Sequence, residues 1–239
     1  MCPDSCPSGC LYLVATPIGN LGDLSPRAIL AIRDSELIAC EDTRVSAKLL
    51  NHLNIQKTLI SYREENERLK CTELASQIED GKKIALLSDA GYPCISDPGF
   101  RLVRECHKRN LLIIPIPGPN AALTALVVSG LPTHQFIYLG FLPKKSAQVK
   151  NLLVKWQEFD GSIIVYESKY KIEKTLLAII EVLGSDRYIC IARELTKAHE
   201  SILSGPVHEV SQKQSLASGK GEFTLVIGPS GYSFTGFQR

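Results

Sequence analysis

Short, almost wholly apolar runs alternate along this chain with longer segments whose apolar residues recur every three or four positions. The first pattern reads as buried strand and the second as amphipathic helix. In the first half the strand-sized runs are Leu11–Ala15, Leu37–Cys40, Leu59–Tyr62, Ile84–Leu87 and Leu111–Ile116. Ser25 is a favourable N-cap with Pro26 at the first helical position, which opens a helix to about Ile32. A second helix carries Leu49, Leu50 and Leu53, a third runs from about Glu65 to Asp80 and stops at Gly81, and a fourth covers Leu102–Lys108. This alternation predicts an α/β fold with a largely parallel sheet and right-handed crossovers.

Gly118-Pro119-Asn120 interrupts the rhythm, and Ala121–Val128 reads as an apolar helix that ends at Gly130. Strands are then expected at Phe136–Gly140, Ser162–Tyr166, Tyr188–Ala192 and Phe223–Ile227, with long helices at Ser146–Trp156 and Lys171–Leu183. A hairpin is expected where His199–Leu203 meets Val207. The predicted organisation is a tail over 1–10, an α/β domain over 11–117, a mixed α/β domain over 118–228 and a second tail over 229–239.

Composition narrows the class. With 239 residues, 44% hydrophobic and 22% charged, the chain is well cored and long enough for two domains. A net charge of +2 does not announce a nucleic-acid binder, so any basic footprint must be local. No apolar run reaches membrane-spanning length. Three of the eight cysteines (Cys2, Cys6 and Cys10) fall in a polar, Pro-rich start without a secretory apolar core, and the others are scattered without a C-x-x-C pair. That usage points to reduced thiols in a cytoplasmic protein, with no membrane and no metal.

Candidate chemistry gathers after the strands. The segment from Ile84 to Phe100 is the most informative, because an apolar strand opens into a loop holding Gly91, Pro93, Pro98, Gly99, Asp89 and Asp97. Glycines allow close backbone approach to a ligand, prolines stiffen the loop, and open α/β sheets bind ligands at the carboxyl ends of their strands. Thr16–Asn20, Glu41–Arg44, Gly118–Asn120, Tyr166–Ser168 and Arg193–Lys197 also follow strands, so residues remote in sequence should converge on a cleft shared by two domains. No phosphate-binding G-x-x-x-x-G-K-[ST] and no G-x-G-x-x-G after a strand is present.

The segments TPIGNLGD (Thr16–Asp23), ACEDTR (Ala39–Arg44), SDAGYPCISDPG (Ser88–Gly99), PGPNAALTAL (Pro117–Leu126), YES (Tyr166–Ser168), ARELTK (Ala192–Lys197) and KGEF (Lys220–Phe223) resemble the ribosomal RNA small subunit methyltransferase I family. The resemblance runs in order from Leu11 to about Gly228. It implies the tetrapyrrole-methylase fold: two α/β domains with an S-adenosylmethionine cleft between them, in a homodimer. It also implies 2′-O-methylation of a cytidine in the decoding region of 16S rRNA, within the small ribosomal subunit. This chain departs from the family pattern at Tyr92, where Thr is usual, and at Lys171, where Arg is usual. In Arg63-Glu64-Glu65-Asn66-Glu67 two histidines are replaced, so no role carried by those histidines transfers.

On this resemblance, Pro17, Gly19, Asp89, Ala90, Gly91, Ile95, Ser96, Asp97, Ala121, Ala122, Tyr166 and Glu167 are the cofactor-site candidates. Backbone N–H groups suit the cofactor carboxylate, and Asp89 or Asp97 suits its ammonium or ribose hydroxyls. Ile95, Ala121, Ala122 and Leu139 are candidate walls of an adenine slot. The loops after the fourth and fifth strands, expected to be sheet neighbours, would hold the donor. A ribose hydroxyl needs a base, for which Glu41, Asp42, Glu167 and Glu194 stand open, while Arg44 and Lys197 could hold phosphate or stabilise alkoxide charge. Arg63, Asn66, Lys144 and Lys145 are the RNA-contact candidates, the last two opening a stretch to Lys155 that contains no acid. A tetrapyrrole methyltransferase and a catalytically silent ribosome-assembly protein remain as alternatives.

Overall fold

The computed structural model describes residues 9–216 and 221–233; Cys2 and Cys6 lie outside them. The chain divides into two compact units between Asn120 and Ala121. In the first, β1 (Cys10–Val14), β2 (Leu37–Cys40), β3 (Thr58–Ser61), β4 (Lys83–Leu87) and β5 (Leu112–Ile116) form a parallel sheet in the order β3-β2-β4-β1-β5. The helices are α1 (Pro26–Asp34), α2 (Thr43–His52), α3 (Glu67–Glu79) and α4 (Phe100–Lys108).

Continuous apolar strands follow from burial of both sheet faces. Tyr12, Val14, Ile38, Cys40, Ala85 and Leu87 pack with Ala28, Ile32 and Leu50 of α1 and α2. Their alternate neighbours Leu11, Leu37, Ala39, Ile84 and Leu86 pack with Leu74, Ile78, Leu102 and Cys106 of α3 and α4. Each fully buried Leu or Ile in these layers contributes about 1.5–3 kcal/mol. Ser25 caps α1 by accepting from Ala28 N at 3.1 Å. The expectation that β4 and β5 are neighbours is wrong, because β1 lies between them.

The second unit contains α5 (Ala121–Val128), β6 (Phe136–Phe141), α6 (Ser146–Trp156), β7 (Ser162–Ser168), α7 (Ile172–Leu183), β8 (Tyr188–Arg193), β9 (Ser201–Pro206), α8 (Val207–Leu216) and β10 (Glu222–Ile227). Its sheet runs β6-β7-β10-β8-β9, parallel at β6–β7 and antiparallel elsewhere. Ile163, Val165, Ile189, Ile191, Leu225 and Ile227 face a core shared with Leu153, Leu176 and Val210 of α6, α7 and α8. The hairpin is formed by β8 with β9, not by 199–203 with Val207, which starts α8. Pro206 fits because β9 is an edge strand. Beyond Gly228 the chain does not leave the unit at once: Tyr232 packs edge-on against Tyr188, with ring centroids 5.6 Å apart, and its hydroxyl donates to Gly130 O.

Candidate active site

The strand order fixes where a ligand can enter the first unit. The connection after β2 runs outward to the edge strand β3, and the connection after β4 runs the opposite way to β5. The two chains diverge at the carboxyl ends of β2 and β4, which is the switch-point crevice of an open α/β sheet. A cleft of about 610 Å³ lies there, lined by Glu41, Asp42 and Arg44 after β2, Arg63–Glu65 and Glu67 after β3, and Asp89, Ser96–Pro98 and Phe100 after β4. Seven carboxylates face two arginines in this lining, so the cleft favours cationic groups and repels phosphate.

Several contacts hold the walls. Asp42 caps α2, its carboxylate accepting from Arg44 N at 2.8 Å and from the Arg44 guanidinium at 2.6 Å. Its own N–H donates to Asp89 Oδ1 at 3.1 Å, joining the two loops. Thr16 and Gly91 exchange backbone hydrogen bonds of 2.9 and 3.0 Å, which fastens the loop after β1 to the loop after β4. Tyr92 Oη accepts from Gly118 N at 3.0 Å and ties that loop to the end of β5, a role that a threonine side chain is too short to reach. Arg63 Nε donates to Glu41 O at 3.0 Å.

The Ser88–Gly99 loop is wound tightly. Gly91, Cys94, Ser96 and Gly99 all have positive φ, at 80°, 72°, 64° and 143°. Two of these are side-chain-bearing residues in a conformation that L-residues rarely adopt, as is common where a loop is built for a ligand. Gly99 has no alternative, since a Cβ there would lie 2.5 Å from Cys94 Sγ and 2.9 Å from Leu86 Cδ2. The loop's far end is clamped by Glu67, which is buried at the start of α3. Its Oε1 accepts from Gly99 N at 2.9 Å, Arg101 N at 3.2 Å and Tyr62 Oη at 3.3 Å, and Arg101 Nε stands 3.4 Å from Oε2. Gly99 is the N-cap of α4 and has no side chain to cap it, so Glu67 supplies the missing acceptor from another element.

Electrostatics separates the acids. Arg44 holds the Asp42 carboxyl far below the usual range, which makes the capping carboxylate of α2 a weak base. Burial, and then the Asp89 charge, raise Glu41. Burial also raises Asp89. Asp97 is pushed up to about 7 by burial, by the charges of Glu41 and Asp89, and by a side-chain hydrogen bond with Glu41. Glu41 and Asp97 therefore titrate as a coupled pair that holds a proton near neutrality.

A second depression of about 260 Å³ lies on the other side of Asp89, lined by Thr16, Pro17, Gly19, Leu21, Val45, Ser46, Lys48, Leu49 and Ser88. It brings Pro17 and Gly19 together with Asp89, while Ala90 and Ile95 are exposed along the same loop. Asn66 lies close by in sequence, but its side chain accepts from Arg63 N at 2.8 Å and donates to Ser61 O at 3.0 Å. It shapes the loop.

In the second unit the predicted residues fare differently. Glu167 is buried, and its oxygens accept from Ser168 N at 2.7 Å and Thr175 Oγ1 at 2.8 Å. Ala122 is a buried residue of α5 whose N–H donates to Tyr166 Oη at 3.2 Å, and Ala121 beside it is half-buried. Glu194 and Lys197 pair at 3.0 Å; Lys197 also meets Glu222 at 2.9 Å, and Glu194 accepts from Glu222 N at 2.8 Å. That network closes the ends of β8 and β10 and engages both side chains. Lys197→Ala is expected to cost about 1 kcal/mol of stability, as exposed pairs do. It should leave donor affinity unchanged in calorimetry. Lys144 and Lys145 are exposed and make no ion pair among the described residues, whereas Lys150 pairs with Glu181 at 2.6 Å.

Among the described residues no group of three or more His, Cys, Asp or Glu is arranged to hold a metal ion. No described helix is long and apolar enough to cross a membrane.

A parallel five-stranded unit followed by a mixed one, with a tightly wound loop after β4, fits a tetrapyrrole methylase, and the family described as Tetrapyrrole (Corrin/Porphyrin) Methylases matches residues 10–211. Solved structures of the methyltransferase CobJ and of diphthine synthase superpose with TM-scores of 0.69 at 18% and 12% identity. They cover 96% and 92% of this chain and 98% and 90% of their own, and they show the fold alone. Within that superfamily the chain belongs to the ribosomal RNA small subunit methyltransferase I family. It is 45% identical to the member from Halalkalibacterium halodurans over 223 residues, 93% of this chain and 77% of that one. The Synechocystis member is 44% identical over 219 residues, 92% of this chain and 78% of that one.

Proposed function

We propose that this chain transfers a methyl group from S-adenosylmethionine to the 2′-hydroxyl of a cytidine in the decoding region of 16S rRNA. The observation that carries the reading is the acidic switch-point cleft of a chain from this family, which sets the raised carboxyl of Asp97 beside Glu41. S-adenosylmethionine would supply a methyl already activated by its sulfonium. The residues present fit such a donor. The carboxylate of Asp89 matches its positive charge, Arg44 and Arg63 stand near for its carboxylate, and the wound Ser88–Gly99 loop offers backbone groups.

Phosphates are kept out of a cleft so acidic, so only the neutral sugar edge of an RNA substrate enters it. The Glu41–Asp97 pair takes the proton of the hydroxyl as the new O–C bond forms, and alignment by the loop supplies the rest. The acceptor is proposed to be presented by an assembled small subunit to a cytoplasmic homodimer. A tetrapyrrole substrate has no specific observation in its favour.

The test is methyl incorporation into purified small subunits and into protein-free 16S rRNA. Incorporation at a cytidine ribose in the particle, at least tenfold faster than in free RNA, is expected. Equal rates would remove the requirement for the particle. No incorporation together with intact donor binding would return the silent-binder reading.

A further inference from the structure

At the carboxyl end of the parallel pair β6–β7 the strand alternation is broken. Ile137 and Leu139 pack towards the core of the second unit, and strict alternation would send Phe141 the same way. Instead the register shifts, so that three steps along β6 from Tyr138 to Phe141 match two along β7 from Ile164 to Tyr166. Gly140 takes a φ of 68° to make this bulge. The buried place passes to Leu142, and Phe141 stands 62% exposed. Bulges are a means of re-aiming a side chain. This one turns a large apolar ring out to water.

The ring is braced. Phe141 meets Tyr166 edge-on at 5.5 Å, and Tyr166 meets Tyr138 at 5.1 Å. The loops that leave β6 and β7 run side by side, since Lys171 Nζ donates to Leu142 O at 3.3 Å. The second loop presents Tyr170, 79% exposed, with Lys169 Nζ 4.7 Å from its ring. Segments 142–145 and 169–171 hold Lys144, Lys145, Lys169 and Lys171 and no acid. Lys144 is three chain steps from Phe141, a reach of at most about 11 Å. Nearby acids are engaged or peripheral: Glu167 is buried and hydrogen-bonded, Glu222 pairs with Lys197, and Glu173 lies in the first turn of α7.

We propose that Phe141 and Tyr170 form a stacking platform for unpaired bases of the RNA substrate, with the flanking lysines on its phosphates. Exposed rings interleaved with ammonium groups are what a single strand requires, because every base has a face to stack and every linkage a charge to meet. Duplex RNA hides those faces, so the platform selects melted or looped nucleotides. The inference rests on the proposed RNA substrate and adds which state of the RNA is gripped, and where.

Two measurements on the full-length protein test it. Phe141→Ala and Tyr170→Ala should each raise the KM for small subunits roughly 5- to 150-fold, the loss of one stacked base. Donor affinity and melting temperature should not change, and Phe141→Trp should restore KM. A photo-crosslinking benzophenone side chain at position 141 should mark unpaired nucleotides of the small-subunit RNA. An unchanged KM in both alanine variants, lost donor affinity, or crosslinks to duplex RNA or to a second copy of the chain would each overturn the platform. If the wild type incorporated no methyl while position 141 still crosslinked unpaired nucleotides, the proposed function would fail and the platform would stand. No incorporation and no RNA crosslink would remove both.

Discussion

Glu67→Ala is expected to lower stability by about 3 kcal/mol, combining a lost helix cap of about 1–2 kcal/mol with a buried N–H left unsatisfied at about 1–3 kcal/mol. For a chain of this size that is a fall in Tm of roughly 6–12 °C. The reason is geometric: Gly99 N and Arg101 N, the first donors of α4, have their acceptor on α3. Glu67→Gln keeps an acceptor oxygen at the same place and loses only the charge, so it should recover most of the loss. Function should follow the same order, since the clamp holds the end of the loop that carries Asp97. Donor affinity is expected to drop in the alanine variant and return in the glutamine variant. Thermal melts and calorimetry on the two variants check this. An alanine variant that melts within a degree of the wild type, or a glutamine variant no better than alanine, would show that the cap is dispensable.

Elements were legible in the sequence because their signals are local. The Ile84–Leu87 run, Ser25 before Pro26 and Gly81 after α3 each declare their structure within a few residues. Pairings were legible only where chain order sets them. Nothing between Ser88 and Leu111 says that β1 will separate β4 from β5, because insertion of an earlier strand is a property of the whole sheet. The site divides the same way. Asp89 and Asp97 stand out in a loop rich in Gly and Pro, but the proton shared with Glu41 joins residues far apart in sequence. Glu67 was missed for that reason; its partner Gly99 is 32 residues away. Conversely, the internal partners of Asp42, Glu167 and Glu194, which are Arg44, Thr175 and Lys197, cannot be seen without the fold. Phe141 shows the limit of periodicity most plainly, since one bulge reverses the face on which a strand residue emerges.

Asp97→Asn is expected to reduce kcat/KM by about 10²-fold or more and to remove the pH dependence centred near neutrality, the effect of losing a positioned base. In the wild type, activity should rise as pH passes through about 7, where the coupled pair gives up its proton and can accept one from the substrate hydroxyl. Stability should move the other way. The folded chain keeps the Asp97 proton up to about 7, whereas the unfolded chain releases it near 3.8, so the native state binds more protons between these values. Stability therefore falls as pH rises through that interval, and the cost of burying the charge is fully present above it. The full difference, at about 1.4 kcal/mol per pH unit, would be about 4 kcal/mol; water at the cleft mouth screens much of it, leaving about 1–2 kcal/mol. Asparagine removes that charge and can still donate to Glu41, so the variant should be more stable than the wild type at pH 8 and no more stable at pH 4. Opposite changes in stability and activity from one substitution distinguish a group held for chemistry from one held for structure. The checks are kcat/KM between pH 5.5 and 9 and melts from pH 4 to pH 9. A wild-type inflection near 7 that persists in the asparagine variant would assign the titration to another group and leave Glu41 without its partner.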